Sequence, residues 1–357
     1  MKKIVIACDS YKGCLSSAEV SDAVAEGVSE AYPDCEVVRL AVADGGEGTV
    51  EALVDTLGGY LEWAEVSDPL GRPVRAAYGV AGDLAIIESA AACGLTLLTK
   101  EERNPLIATT KGLGELILAA VDKGCRRFLI GLGGSATNDG GMGMIGVKGF
   151  LEKTRGLQFT IACDVDTPYI GKNGASRVFG PQKGASVQDV EVLEERLRGY
   201  ALKISEDTGI DVSDMPGAGA AGGLGGAFRA YLGAELKRGV DLVLDQIRFD
   251  SVIAGADLVI TGEGCSDYQT LKGKTAAGVL ERAERLNIPV ALVSGAVRDE
   301  KMLRDRGFRI VEAVTPPAMS LEEAMRPETA KHLVSVATRN ILHQFCIYYQ
   351  VLHMRNH

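Results

Sequence analysis

The sequence predicts an α/β protein, a doubly wound parallel sheet interrupted by an inserted α/β domain with a mixed sheet. Three observations carry that expectation. Short β-branched runs alternate with amphipathic helical segments at both ends of the chain, polar glycine-rich loops follow those runs, and a block of short alternating segments broken by turns stands between. Parallel strands need helical crossovers, and ligands of open α/β sheets lie outside the strands' carboxyl ends.

Lys3 to Cys8 is the first run, ending at Asp9-Ser10-Tyr11-Lys12-Gly13. Ser16 or Ser17 can cap a helix whose apolar positions are Val20, Val24 and Val28. Pro33 ends that helix region, and Glu36 to Val42 alternates into a second strand. Ala43-Asp44-Gly45-Gly46-Glu47-Gly48-Thr49 then precedes a helix through Val50, Leu53, Val54 and Leu57. From Gly59 the pattern changes to the short segments Leu61–Val66, Val74–Val80 and Leu84–Glu88, with the turn Ser67-Asp68-Pro69-Leu70-Gly71, which reads as the start of an antiparallel insertion. A helix from about Thr109 to Asp122 leads to the strand Phe128-Leu129-Ile130, and Phe159 to Cys163 is another strand, ending in Asp164.

Phe179 to Ala185 reads as a turn, Val190, Leu193, Leu197 and Ala201 mark an amphipathic helix, and Gly217 to Gly226 reads as a loop. The alternation then resumes with strands at Ala256–Thr261, Pro289–Ser294 and Phe308–Val314 and a helix at Thr275–Leu286. The tail from His343 to His357 has no clear periodicity and is open to being a helix extension, an interface or disorder. The expected domains are 1–62 with 240–357, a discontinuous parallel-sheet domain, and the insertion 63–239.

A chain of 357 residues is long enough for about two cores. Its net charge of -10 argues against nucleic acid or an anionic membrane as partner, since both require clustered Lys and Arg. Eight cysteines without a CxxC pair suggest neither a disulfide framework nor a zinc site and point to a reducing cytoplasm. Asp9 breaks the first apolar run after too few residues for a signal peptide, and no run approaches the ~18 residues of a membrane span. All four histidines lie near the C-terminus, so acid-base work in the body of the chain falls to carboxylates or lysines.

The stretch from Gly131 to Gly143, GLGGSATNDGGMG, is the centre of the functional reading. Its glycines offer a bare backbone whose N–H groups can approach an anion, while Ser135, Thr137, Asn138 and Asp139 add polar side chains. Gly217 to Gly222 matches GxGxxG, but Asp214-Met215-Pro216 before it is no strand. Gly131-x-Gly133-x-x-Ala136, with Glu152 about twenty residues on, is the better dinucleotide candidate. Gly273-Lys274-Thr275 resembles the end of a P-loop but has Tyr268 where the pattern needs glycine. Even so, an anion could rest there against the N-terminus of the following helix. Asp9, Asp44, Glu47, Asp139, Asp164, Glu263 and Asp267 all fall at predicted strand ends, with Lys12, Lys183 and Lys274 nearby in sequence. Together they offer Mg²⁺ ligands, a base and phosphate-neutralising cations, the set that phosphoryl transfer uses.

A series of motifs then resembles one known family, the bacterial glycerate kinases of the glycerate 2-kinase type. They are DSYKGCLSS at 9–17, ADGGEGT at 43–49, SDPLGR at 67–72, GLGGSATNDGGMGM at 131–144, ACDV at 162–165, FGPQKGA at 179–185, GAGAAGGLG at 217–225, and TGEG with DxQTLxGK between 261 and 274. The resemblance implies one discontinuous flavodoxin-like domain, a second α/β domain, and an active site in the cleft between them. It implies ATP with Mg²⁺ as donor and D-glycerate as acceptor, giving 2-phosphoglycerate or, alternatively, 3-phosphoglycerate. No nucleic acid or membrane partner is expected, and the protein is expected as a monomer or homodimer.

On this reading Lys12, Asp44, Asp139 and Asp164 are catalytic, with Asp164 or Asp139 as base and Asp44 or Asp164 as metal ligand. Asp9, Ser10, Arg72, Ser135, Thr137, Asn138 and Lys183 bind substrate, with Arg72 and Lys183 available for its carboxylate. Gly133, Gly134, Gly219, Gly222, Gly262, Glu263 and Lys274 receive the nucleotide. Two departures stand out: only LEKTRGLQ separates Phe150 from Phe159, where the family has a longer segment, and Cys265 stands where the family has arginine. They keep a catalytically impaired ligand-binding homologue open beside a nucleotide-cofactor oxidoreductase.

Overall fold

The structure, a computed structural model, describes residues 1–271 and 273–355. In chain order it opens with β1 (Lys3–Cys8), α1 (Ser17–Ala31) and β2 (Glu36–Ala41). It continues with α2 (Thr49–Leu57), β3 (Tyr60–Ser67), β4 (Pro73–Ala81), β5 (Leu84–Glu88), α3 (Lys111–Asp122), β6 (Arg127–Gly131), β7 (Gln158–Ala162), α4 (Val187–Thr208), α5 (Ala220–Leu232) and β8 (Glu235–Lys237). It closes with β9 (Leu258–Ser266), α6 (Thr275–Arg285), β10 (Val290–Val297), β11 (Ile310–Ala313) and α7 (Pro327–Arg355). Shorter helices are named by range.

The chain divides into two compact units, 1–44 with 240–357 and 45–239. The first junction falls at Asp44 rather than at residue 62, because α2 packs on β4 and β5 and β3 pairs with β4 along its whole length.

In the first unit five parallel strands run in the order β2-β1-β9-β10-β11. This is the flavodoxin-like order expected from the sequence, and the strand order reverses between β1 and β9. Ile4 to Cys8 are fully buried because β1 is covered on both faces, which explains why it reads as a continuous apolar run. Ser16 and Glu19 form a capping box at the start of α1, with Glu19 N donating to Ser16 Oγ at 3.2 Å and Ser16 N to Glu19 Oε2 at 3.0 Å. A box of this kind stabilises a helix by about 1 kcal/mol. Val20, Val24 and Val28 then face the sheet beside Val334, Ala337 and Ile341 of α7. The two helices approach so closely that a Cβ on Gly27 would stand 2.5 Å from the Ser335 carbonyl oxygen. Of the three options open for the tail, the helix extension is the one found, through Arg355; the last two residues lie outside the described residues.

The second unit holds a six-stranded mixed sheet in the order β3-β4-β5-β6-β7-β8. β3, β4 and β5 form the antiparallel meander, and β5 through β8 are parallel. Phe128 and Phe159 face each other across β6 and β7 and stack at 4.7 Å, and Phe228 of α5 leans on the pair at 6.2 Å. The stretch read as a turn at 179–185 is the end of a short helix, Ala175–Phe179, and the 3₁₀ turn Pro181–Lys183. The stretch read as a loop at 217–226 becomes regular helix from Leu224 onward, after a left-handed kink at Ala221, Gly222 and Gly223.

Candidate active site

In the first unit the polar residues gather where the strand order reverses. Cys8 of β1 lies opposite Gly262 of β9, so Asp9 and Glu263 emerge side by side from neighbouring strand ends. Asp9 is buried and accepts hydrogen bonds from Thr275 Oγ1 at 2.6 Å and from Ser10 N at 2.7 Å. Burial pushes its carboxyl group up to about 6 against the pull of the Thr275 hydrogen bond, and the charge of Asp44 adds to the rise while Lys12 opposes it. The start of α6, expected as a seat for an anion, is in contact with Asp9 itself, a carboxylate at the helix's positive end.

Glu263 accepts from Thr270 Oγ1 at 2.5 Å and Ser266 Oγ at 3.0 Å, and Lys274 Nζ stands 3.4 Å from its other oxygen. Ser266 shares a further hydrogen bond of 2.7 Å with Ser294. Lys12 is exposed on the loop after β1. Gly262 has a structural cause of its own, since a Cβ there would stand 1.8 Å from the Val293 carbonyl oxygen on β10. Its place in the sheet, rather than nucleotide binding, accounts for the missing side chain.

The second unit builds its cluster on the parallel ends of β5, β6 and β7, where Glu88 lies opposite Gly131 and Gly131 opposite Ala162. The loop after β6 is internally bonded. Ser135 Oγ lies 2.8 Å from Thr137 Oγ1 and accepts from Thr137 N, and Asn138 Nδ2 donates to Ser176 Oγ at 2.9 Å. Lys183 is buried behind the loop and donates to the Thr137 carbonyl at 2.6 Å. Burial lowers its ammonium to about 8, and Cys93 and Asp139 counter that shift. Gly133 is open, its nearest neighbour for an added Cβ being Gly46 Cα at 3.6 Å, while Gly134 adopts a left-handed φ of 73°.

Two expected site residues are engaged elsewhere. Asp139 accepts from Thr110 N, Thr110 Oγ1, Thr109 Oγ1, Gly141 N and Gly143 N, all within 3.3 Å. With both oxygens so occupied it organises the loop. Arg72, in the β3–β4 turn, places its guanidinium 2.6 Å from both Asp68 of that turn and Glu102 from beyond β5, so its fork is already matched by two carboxylates. Asp164 stands exposed after β7 and accepts from Gly239 N at 2.9 Å.

The second glycine run is packing rather than a cradle. A Cβ on Gly219 would stand 2.1 Å from the Pro168 carbonyl oxygen, and one on Gly222 2.1 Å from that of Thr137. Gly223 and Gly226 leave room for the ring of Tyr169, whose hydroxyl donates to the Gly140 carbonyl at 3.0 Å. Gly140 N in turn donates to the Gly222 carbonyl at 3.0 Å. The match to GxGxxG therefore buttresses the loop at 131–143. This accounts for Gly219 and Gly222 without a nucleotide and removes the motif's support for an oxidoreductase.

Sequence reasoning passed over Glu88, Tyr169 and Ser176, and it noticed Thr275 only as the end of a P-loop-like run. Glu88 carried a usable signal, an acid at the last position of a predicted strand. Tyr169 and Ser176 gave none, because their partners lie 29 or more residues away in the chain. Among the described residues no cluster of three or more His, Cys, Asp or Glu groups could hold a metal by itself, and no helix is long and apolar enough to cross a membrane.

The comparisons agree along the whole chain. The model of the glycerate kinase family matches residues 4–151 and 145–346, two matches that meet where the segment after Phe150 is short. The chain is 43% identical to a glycerate kinase of Bacillus subtilis (strain 168), covering 90% of this chain and 92% of that one. It is 42% identical to the glycerate 2-kinase of Escherichia coli (strain K12), covering 95% and 97%. A crystal structure assigned to glycerate kinase 2 of Salmonella typhimurium LT2 superimposes with a TM-score of 0.87 at 42% identity, covering 98% of this chain and 99% of that one. With that likeness spanning both units, the chain belongs to the glycerate kinase family and is a kinase of that class.

Proposed function

We propose that this protein transfers the γ-phosphoryl group of ATP to O2 of D-glycerate, giving 2-phosphoglycerate and ADP. The observation that carries the choice of O2 is the 42% identity to the Escherichia coli glycerate 2-kinase over 97% of its length. Positioning and charge neutralisation dominate such a transfer, and both clusters supply them at strand ends.

Asp164, exposed after β7, takes the proton of the attacking hydroxyl. The substrate oxygen then bonds to the γ-phosphorus as the bond to the β–γ bridging oxygen breaks, and ADP leaves. The backbone N–H groups of Gly133 and Gly134 receive phosphate oxygens, and Lys183 holds that backbone from behind through Thr137. Lys12 and Lys274 supply mobile positive charge in the first unit. Asp9 and Asp44 fit a magnesium site, since the charge of Asp44 adds to the rise of the Asp9 carboxyl group and Mg²⁺ is commonly held by one or two carboxylates plus substrate phosphates. When bound, Mg²⁺ supplies neutralisation of the phosphate oxygens.

A coupled assay with ATP, Mg²⁺ and D-glycerate tests the reading. Product detected with enolase alone is 2-phosphoglycerate, and a signal that appears only after mutase is added overturns the choice of O2. Asp44→Asn and Asp164→Asn are expected to lower kcat by at least about 100-fold; folded variants with full turnover would remove those two roles.

A further inference from the structure

α2 begins without a cap of its own. Its N-cap residue is Gly48, held at a left-handed φ of 88°, which makes no side-chain capping hydrogen bond to the leading amides. An uncapped helix start leaves buried N–H groups that cost about 1–3 kcal/mol each when nothing receives them. Here the acceptor comes from 38 residues away: Val50 N donates to Glu88 Oε1 at 3.1 Å, and the amides of Thr49 and Gly48 also act on the same carboxyl group. Glu88 ends β5, directly opposite Gly131 of β6.

The segment that Glu88 holds lies against the phosphate loop. A Cβ on Gly131 would stand 2.3 Å from the Gly45 carbonyl oxygen, and Gly46 Cα is the nearest atom to the same point on Gly133. Thr49 N closes the segment on itself by donating to the Gly46 carbonyl at 3.3 Å. One carboxyl group thus ties the loop 45–48 to the strand beside the loop 131–134.

We propose that Glu88 is a positioning residue for phosphoryl transfer, clamping the start of α2 so that the loop 45–48 stays seated on the loop 131–134. The proposal rests on the kinase reading above. Burial supports it by pushing the Glu88 carboxyl up to about 7 against the backbone hydrogen bonds, so the clamp changes protonation near neutrality. Glu51, further along the first turn of α2, is the charged group that faces it.

Steady-state kinetics from pH 5.5 to 8.5, together with amide hydrogen exchange over residues 46–50, test the proposal on Glu88→Ala, Glu88→Gln and Glu88→Asp. The alanine variant is expected to lose at least tenfold in kcat/KM, with a raised KM for ATP and at least tenfold faster exchange at Val50. Glutamine keeps an acceptor, so it should stay within threefold of wild type and lose the inflection in the pH profile near 7. Aspartate withdraws the acceptor by one methylene and should fall between them, which keeps the test alive if alanine does not fold. Wild-type exchange at 46–50 in the alanine or aspartate variant would overturn the proposal. So would a glutamine variant as slow as alanine, which would make the carboxyl a reacting group. Wild-type protein without glycerate turnover would refute the kinase reading alone, because exchange still reports on the clamp.

Discussion

The two glycine-rich stretches of the second unit look interchangeable on paper and do opposite jobs. At Gly133, in the loop after β6, the backbone keeps open space, with nothing closer than 3.6 Å to an added Cβ. At 217–226 the space is already full, of the Thr137 carbonyl, the Pro168 carbonyl and the Tyr169 ring. Gly133 leaves room for something to arrive, whereas Gly219 and Gly222 in the second stretch let the protein's own backbone close in. The same division separates the charged residues. Asp139 and Arg72 are consumed by internal partners, while Asp9 is buried with its carboxyl group raised by that burial and, to a smaller degree, by the charge of Asp44.

Substitution at Gly222 should give the largest effect. Alanine there combines a left-handed φ of 71° with a contact of 2.1 Å, and about 3–5 kcal/mol of stability should be lost in denaturant unfolding. Near-wild-type stability would mean that the second stretch is as open as the first.

Asp9 comes next. Its native carboxyl group, raised from 3.8 to about 6, binds its proton more tightly than in the unfolded chain. The stabilisation from protonated Asp9 is therefore complete below pH 3.8 and is lost as pH rises to about 6, a change of about 3 kcal/mol. Unfolding of wild type and Asp9→Asn in Mg²⁺-free buffer between pH 4 and 7 should diverge over that window, and parallel curves would contradict the burial of this group.

Gly133→Ala sharpens the comparison from the other side. Stability should stay within about 1 kcal/mol because the site is open, while kcat/KM should fall about tenfold as the methyl group crowds the phosphate. The smallest effect belongs to Arg72→Ala. With the guanidinium half-exposed and already matched, the change should leave the unfolding midpoint close to that of wild type and the KM for glycerate unaltered. A raised KM would return Arg72 to the substrate.

Much of the architecture was legible in the residues. The alternation of β-branched runs with amphipathic helices located all five strands of the first sheet, and the turn at Ser67–Gly71 announced the antiparallel meander. The first junction was misplaced because α2 obeys the same β-loop-α pattern as α1, and only packing on β4 and β5 assigns it to the insertion. In the candidate site, strand-end position put Asp9 and Glu263 at the ends of their strands, and only the pairing of β1 with β9 brings them side by side. Position alone could not tell that five donors occupy Asp139 or that the GxGxxG match is filled by protein.

By itself the sequence determined the order of elements, the polar loops at the strand ends and the family, since periodicity, turn chemistry and motif order are local properties of the chain. Tertiary structure alone decided which of those polar groups are already satisfied and which glycines face their own backbone. Hydrogen-bond partners such as Asp9 with Thr275 lie 266 residues apart, and no local pattern encodes a contact made across that distance.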